Sequence, residues 1–335
     1  MHQVHQPNPR MRKGAPGKLK SSIVPLALLA FCLASPAQQG EPAETGPRRL
    51  SYVDLVKRLT DLDYLATLPE PGEKTAQCSS YDRASRYDDK TGKYVRWDAN
   101  GDADGIIRKE DGKLVLAEMT GPGCIWRIWS AAPKQGHVRI YLDDASEPAV
   151  DLPFAGYFDG KNPPFTRPEL VHVAASGCNN YTPIPYQKSC KIVADDDWGA
   201  YYHFGYTTFP KGTLVPTFRR DLSAEDNAAL DEADRILSHC GPREAGPGCT
   251  RTGGDRLIGT DGAWTETKLD GAGAITLIRV KPDLPAEPAD PDALREMALE
   301  IRWDGEKSAA VWSPLGDFFG TAPGMNVYRS MPCGM

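Results

Sequence analysis

Histidine is scarce in this chain, with six in 335 residues, and no two of its eight cysteines stand in C-x-x-C spacing. His137, His172, His203 and His239 are far apart in sequence. A zinc or iron–sulfur site built from local ligand pairs is therefore not expected, and no metal or other cofactor is assigned. Beyond residue 37 there is no cluster of lysine and arginine, which excludes the electrostatic footprint of a nucleic-acid-binding protein. No second long apolar run occurs, so no membrane insertion is expected after the first 37 residues. Nucleophile elbows, phosphate loops and dinucleotide fingerprints are missing too.

Residues 1–37 read as an export leader. Arg10, Arg12, Lys13, Lys18 and Lys20 precede an apolar run from Ile23 to Leu33, and Ser35-Pro36-Ala37 offers a cleavage site. Losing those five positive charges takes the formal net charge from -6 to -11, that of an acidic periplasmic or extracellular protein. Residues 38–50 then read as a linker.

Gly 32 and Pro 29, with aromatic and β-branched residues in short runs, predict many turns and short strands. Strands are expected at Lys113–Met119, Cys124–Trp129, His137–Leu142, Ala149–Leu152, Ser189–Val193 and Tyr201–Phe209. Turns are expected at Asp111-Gly112 and Asp143-Asp144. Ser51 with Asp54 three residues on marks a helix start, and a second helix is expected over Ser223–Ser238. The fold class is all-β dominated: jelly-roll or β-sandwich domains with a few short helices. One domain spans 51–240, a linker 241–256, and a second β domain begins at 257.

A block in the first domain returns in the second. Ile140, Asp143, Val150, Pro153 and Phe158 match Ile301, Asp304, Val311, Pro314 and Phe319, each pair 161 residues apart (301 − 140 = 161, and likewise for the rest). Self-similarity of this kind indicates one supersecondary unit built twice. The second copy stops at Met335, so the second domain is expected to be incomplete and the chain to be the front part of a longer protein.

Three constellations could carry chemistry. In Ser79-Ser80-Tyr81-Asp82-Arg83 a carboxylate stands beside a guanidinium able to grip oxygen atoms bidentately; a loop-fixing ion pair fits the same residues. In Asn179-Asn180-Tyr181 and the following Pro183-Ile-Pro-Tyr186, amides and aromatic rings suit a sugar, while prolines on an edge strand give the same string. Asn100–Asp111 resembles a calcium loop but lacks the leading Asp and the final Glu, so an ordinary acidic turn is preferred. Seven cysteines survive removal of the leader, and Cys240 with Cys249, flanking a Gly/Pro-rich loop, is the expected disulfide.

Five motifs in order, Ser79-Ser-Tyr-Asp-Arg83, Gly121-Pro-Gly-Cys-Ile-Trp-Arg-Ile-Trp129, Ile140-Tyr-Leu-Asp143, Pro183-Ile-Pro-Tyr-Gln-Lys-Ser189 and Pro314-Leu-Gly-Asp-Phe-Phe-Gly320, resemble glycoside hydrolase family 172, once known as domain of unknown function 2961. The resemblance implies jelly-roll domains, frequent homo-oligomers, no required metal, and retaining hydrolysis of α-D-arabinofuranosides or α-fructofuranosides by two glutamates. It places Ser80, Tyr81, Asp82, Arg83 and Asp317 near a sugar, alongside Asn180 and Tyr181 from the amide cluster. The family's nucleophile motif, Gly-Thr-Gly-[Thr/Ser]-Glu-Asp-Tyr-Phe, is not among these residues, so no catalytic glutamate is assigned and the chain alone is expected to be inactive. A non-catalytic carbohydrate-binding or assembly module is the alternative.

Overall fold

The computed structural model describes residues 28–32, 47–103, 105–240, 249–253, 266–282 and 292–334. The chain divides into two compact units, 38–242 with 327–335, and 243–326 with 1–37. Most of the expected leader, of both linkers, and of the Pro-rich stretch after Lys281 lies outside the described residues.

The larger unit is an antiparallel β-sandwich. Its six-stranded sheet runs Val171–Ala174, Gly177–Asn180, Gly123–Pro133, Gly199–Thr208, Lys74–Ser79, with Ile184–Tyr186 also paired to Gly123–Pro133. Its five-stranded sheet runs Arg108–Glu110, Lys113–Thr120, Ser189–Ala194, His137–Leu142, Val150–Pro153. Alternation sends Ile128, Tyr202 and Phe204 of the first sheet, and Leu116, Val138, Ile140 and Ile192 of the second, into one shared core. Phe154, Trp198 and Tyr202 meet edge-on in it, with neighbouring centroids 5.7 and 5.6 Å apart. Each such buried side chain contributes about 1.5–3 kcal/mol.

Two-residue turns set the hairpin registers. Asp111 and Gly112, with φ of 49° and 73°, link Arg108–Glu110 to Lys113–Thr120. Both expected helices form, Tyr52–Lys57 and Ala224–Ser238, each opened by a complete capping box (Ser51 with Asp54, Ser223 with Asp226). The first is shorter than its apolar face suggests: the chain breaks after Lys57 and resumes as a 3-10 turn at Asp63–Ala66. Lys74–Ser79 and Gly177–Asn180 are strands that composition conceals, because their polar and glycine residues sit in the ladder of a sheet whose other face is buried.

In the smaller unit Leu28–Cys32 pairs with both Cys249–Gly253 and Ala274–Arg279. The apolar run read as a leader thus supplies the central strand of a three-stranded sheet. A hairpin of Ala298–Ile301 with Val311–Pro314 leads into the short helix Leu315–Phe318. It matches the hairpin of the larger unit residue for residue: Ile140 opposes Val150 as Ile301 opposes Val311, and His137 opposes Pro153 as Ala298 opposes Pro314. Both turns carry two successive positive φ values, 54° and 63° at Asp143-Asp144, 47° and 75° at Asp304-Gly305.

One expectation is corrected. Cys240 is a free thiol whose Sγ donates to the Leu237 carbonyl at 3.0 Å, whereas Cys249 is disulfide-bonded, so the Cys240–Cys249 pair does not form. The end of helix Ala224–Ser238 turns the Cys240 side chain back onto its own last turn.

Candidate functional site

The outward face of the six-stranded sheet carries one polar and aromatic row. His172 opposes Asn179, Asn179 opposes Trp129, Trp129 opposes His203, and His203 opposes Ser79. Five neighbouring strands thus place five such residues side by side, about 5 Å from one strand to the next. Tyr181 and Arg127 flank this row.

A bulge aims the row outward. Gly205 opposes Arg127 while the next residue, Tyr206, opposes Ile125, so Trp126 is an extra residue in its strand. Ile125 and Ile128 both lie in the core, and Arg127 and Trp129 emerge on the opposite face. Trp126 is held by its indole N–H, which donates to Thr207 Oγ1 at 2.9 Å.

Hydrogen bonds and stacking fix these groups, of which Arg127, Trp129 and His203 are half-buried and Asn179 is buried. Arg127 donates through Nε (3.1 Å) and Nη2 (2.9 Å) to Asn179 Oδ1, and Asn179 Nδ2 donates to the Gly177 carbonyl at 2.9 Å. The Arg127 guanidinium lies 5.9 Å from the Trp129 ring and 5.8 Å from the Tyr181 ring. Trp129 and His203 stack at 4.5 Å. Burial first, and the positive charge of Arg127 second, hold the His203 pKa below the ordinary histidine value. The Trp129 indole rests over Gly177, where a Cβ would come within 2.2 Å of Nε1. Nδ1 of His172 is buried without a hydrogen-bond partner. Tyr201, two residues before His203 in the same strand, has φ of 60°, a strained conformation for a bulky residue.

The Ser80–Arg83 loop leaves this face one residue after Ser79. Ser80 extends the ladder, donating its amide to Tyr202 O at 3.1 Å and accepting the Tyr202 amide on its hydroxyl at 3.3 Å. Asp82 accepts the amides of Ala84 and Gly101, both at 2.9 Å. Those two bonds hold its carboxyl below the usual carboxylate range. They make it a clasp between two loop segments. Arg83 reaches back to Ser79 O (3.2 Å) and Tyr202 Oη (3.3 Å) and covers the exposed Tyr81 ring at 4.8 Å.

The remaining sequence candidates separate. Asn180 points inward, donating to Tyr157 O at 2.8 Å and accepting the Thr182 amide, a structural role. Tyr181 stays with the outer row through its hydroxyl, 3.4 Å from Asn179 Oδ1. Asp317 belongs to the smaller unit and is clamped by Arg295 through two bonds of 2.9 and 2.7 Å.

Sequence reasoning named Asn179 only within the Asn179-Asn180-Tyr181 cluster, singled out Asn180 from it, and missed Arg127, Trp129 and His203. Arg127 and Trp129 stand two apart in a strand-like run, a signal for one shared face, but the bulge that decides which face is not written in the local pattern.

Chemically, the face offers flat aromatic surface for C–H groups, imidazole hydrogen-bonding groups for hydroxyls, and a guanidinium positioned by the buried, already bonded Asn179 amide. No curated protein matches the chain. The family model described as the GH172 first beta-sandwich domain matches residues 71–226, and the one described as GH172 domain-like matches 261–335. Together these two models cover both β regions, and the chain belongs to glycoside hydrolase family 172.

Proposed function

We propose that this is an exported carbohydrate-active protein that takes furanosides of the α-D-arabinofuranoside or α-fructofuranoside class on the outer face of its six-stranded sheet. The observation that carries the reading is the half-buried Trp129–His203 pair beside Arg127, seated on the buried Asn179, on the outer face of a GH172 sandwich. The family resemblance supplies the substrate class and a retaining course. Since the family's glutamate motif is not among the 335 residues, this chain by itself binds the sugar without cleaving it. Titration with arabinan and fructan oligosaccharides, read by tryptophan fluorescence, tests binding; release from aryl α-D-arabinofuranosides tests turnover. Saturable binding that Trp129→Ala abolishes supports the assignment. Absence of binding removes it, and turnover that disappears on changing one glutamate removes the claim of inactivity.

The same face also suits a non-catalytic carbohydrate-binding or assembly module, which the missing motif favours. A stable chain that binds oligosaccharide and never gains activity when mixed with other GH172 segments supports that second reading.

Export rests on the basic stretch Arg10–Lys20 and the apolar run after it. Cleavage after Ala37 would remove Leu28–Cys32, the middle strand of the smaller unit's sheet. The intact mass of protein from the exported fraction decides between the cleaved and uncleaved forms.

A further inference from the structure

The two outer faces of the sandwich treat charge differently. On the five-stranded sheet every prominent cation has its carboxylate: Arg108 binds Glu110 (2.6 Å) and Glu118 (2.7 Å), and Arg139 binds Asp151 (3.0 Å) and Asp195 (2.9 Å). Lys113 and Lys191 are likewise paired, with Asp195 and Glu110. On the six-stranded sheet Arg127 is half-buried and, among the described residues, pairs with no carboxylate. Its Nε and Nη2 are spent on a neutral amide oxygen, which fixes the plane of the guanidinium and leaves Nη1 unused. A guanidinium fixed in this plane, with Nη1 still able to donate, has the geometry to receive an anion. Beside it stand the stacked Trp129–His203 pair and the orphaned Nδ1 of His172. His203, its pKa depressed, remains a neutral hydrogen-bonding group at neutral pH and adds no competing charge.

We propose that this face recognises a glycan bearing a carboxylate, with the acid group on Arg127 and the neighbouring sugar ring on Trp129. The proposal rests on the carbohydrate reading above and goes beyond its neutral furanosides, since it requires an acidic sugar residue in the glycan. Planar carboxylate and planar guanidinium are complementary, and the aromatic pair accounts for a ring rather than a free inorganic anion.

The test uses the full chain and three probes: tetragalacturonate, its methyl ester, and a neutral arabino-oligosaccharide, each titrated by tryptophan fluorescence and calorimetry. Free acid and ester differ in charge and in one methyl group per residue, so the salt dependence and the Arg127 variants separate the effect of charge from that of size. The acid is expected to bind roughly tenfold more tightly than the ester, and less tightly as salt rises from about 20 to about 200 mM. Arg127→Gln should erase the preference for acid over ester, whereas Arg127→Lys, which keeps the charge, should retain part of it. Equal binding of acid and ester, or binding of the arabino-oligosaccharide alone, overturns the proposal and leaves the carbohydrate reading standing. If no probe binds, the proposal fails, and a flat fructan titration beside it removes the carbohydrate reading as well. Should Arg127→Gln instead dissociate an oligomer of the chain in sedimentation while all titrations stay flat, a protein carboxylate occupies Arg127, and the glycan proposal is wrong.

Discussion

Trp129 and His203 stack with their centroids 4.5 Å apart and their planes 28° from parallel, from directly opposed positions on adjacent strands. The pair sits at the middle of the outer row, with Asn179 on one side and Ser79 on the other. Its geometry ties the candidate site to the stability of the sheet, because the contact that shapes the platform is also a cross-strand pair.

That coupling gives a pH dependence with a defined sign. The folded-state pKa of His203 is depressed by burial and by Arg127, so the unfolded chain binds its proton more readily. The contribution is fully present above the unfolded value, about 6.5, and is lost as pH falls through the lower folded value. Urea melts should show a lower midpoint at about pH 5 than at about pH 7.5, and His203→Gln should make the two midpoints converge. Midpoints that move equally in both proteins would show that His203 carries none of the effect.

Gly177 is the seat of the Trp129 indole. A Cβ there would meet Nε1 at 2.2 Å, and a rigid fused ring cannot yield as a flexible side chain does. Gly177→Ala is expected to cost about 1–3 kcal/mol and to shift the tryptophan emission, since the ring must lift from the sheet. Chemical denaturation followed by fluorescence measures both quantities. An unchanged spectrum and midpoint would mean that the ring sits elsewhere.

Asp143 ties the hairpin turn to the next strand. Its carboxylate accepts the amides of Gln187 (3.1 Å), Lys188 (2.6 Å) and Ser189 (3.2 Å), and the Thr217 hydroxyl. Burial opposes the charged form, but the Thr217 hydroxyl and those amides outweigh it and lower the pKa. Its stabilisation is therefore present above the unfolded value of about 3.9 and vanishes on further acidification. Asp143→Ala should cost about 1–3 kcal/mol near neutral pH, and the gap between variant and parent should shrink towards pH 3. Thermal melts across that range check it.

Glu73 pins the N-terminal helix. Its side chain is only 7% exposed and accepts Arg58 Nη1 at 2.9 Å and the Tyr64 hydroxyl at 3.0 Å. Arg58 also lies 5.2 Å from the Phe209 ring. Glu73→Ala should destabilise by about 3–5 kcal/mol because the buried guanidinium loses its partner, while Glu73→Ala with Arg58→Met should recover much of that loss. A double-mutant cycle measures the coupling, and additive losses would refute it.

Much of the larger unit was legible because its signals are local. Asp143-Asp144 is a turn because short polar side chains tolerate positive φ, and His137–Leu142 is a strand because Val138, Ile140 and Leu142 alternate with polar residues. Ser51 and Ser223 cap helices through bonds that span three residues. The equal spacing of Ile140 and Ile301 from their partners already placed two hairpins of one register. The functional face was not legible. Asn180 and Asn179 are adjacent and chemically identical, yet one donates into the interior and the other supports Arg127.

By itself, then, the sequence determined the class of fold, the turns, the helix starts and the matching hairpins, since each depends on contacts a few residues long. The tertiary structure decided which side chains share a surface. Asn179, Trp129, His203 and Ser79 come from four strands, and only sheet order sets them in one row. The extra residue at Trp126 decides that Arg127 faces outward, and the last turn of a helix decides that Cys240 stays a free thiol. The physical reason is that a strand's two faces differ by a single residue of register, and register is fixed by the neighbours it meets rather than by the segment itself.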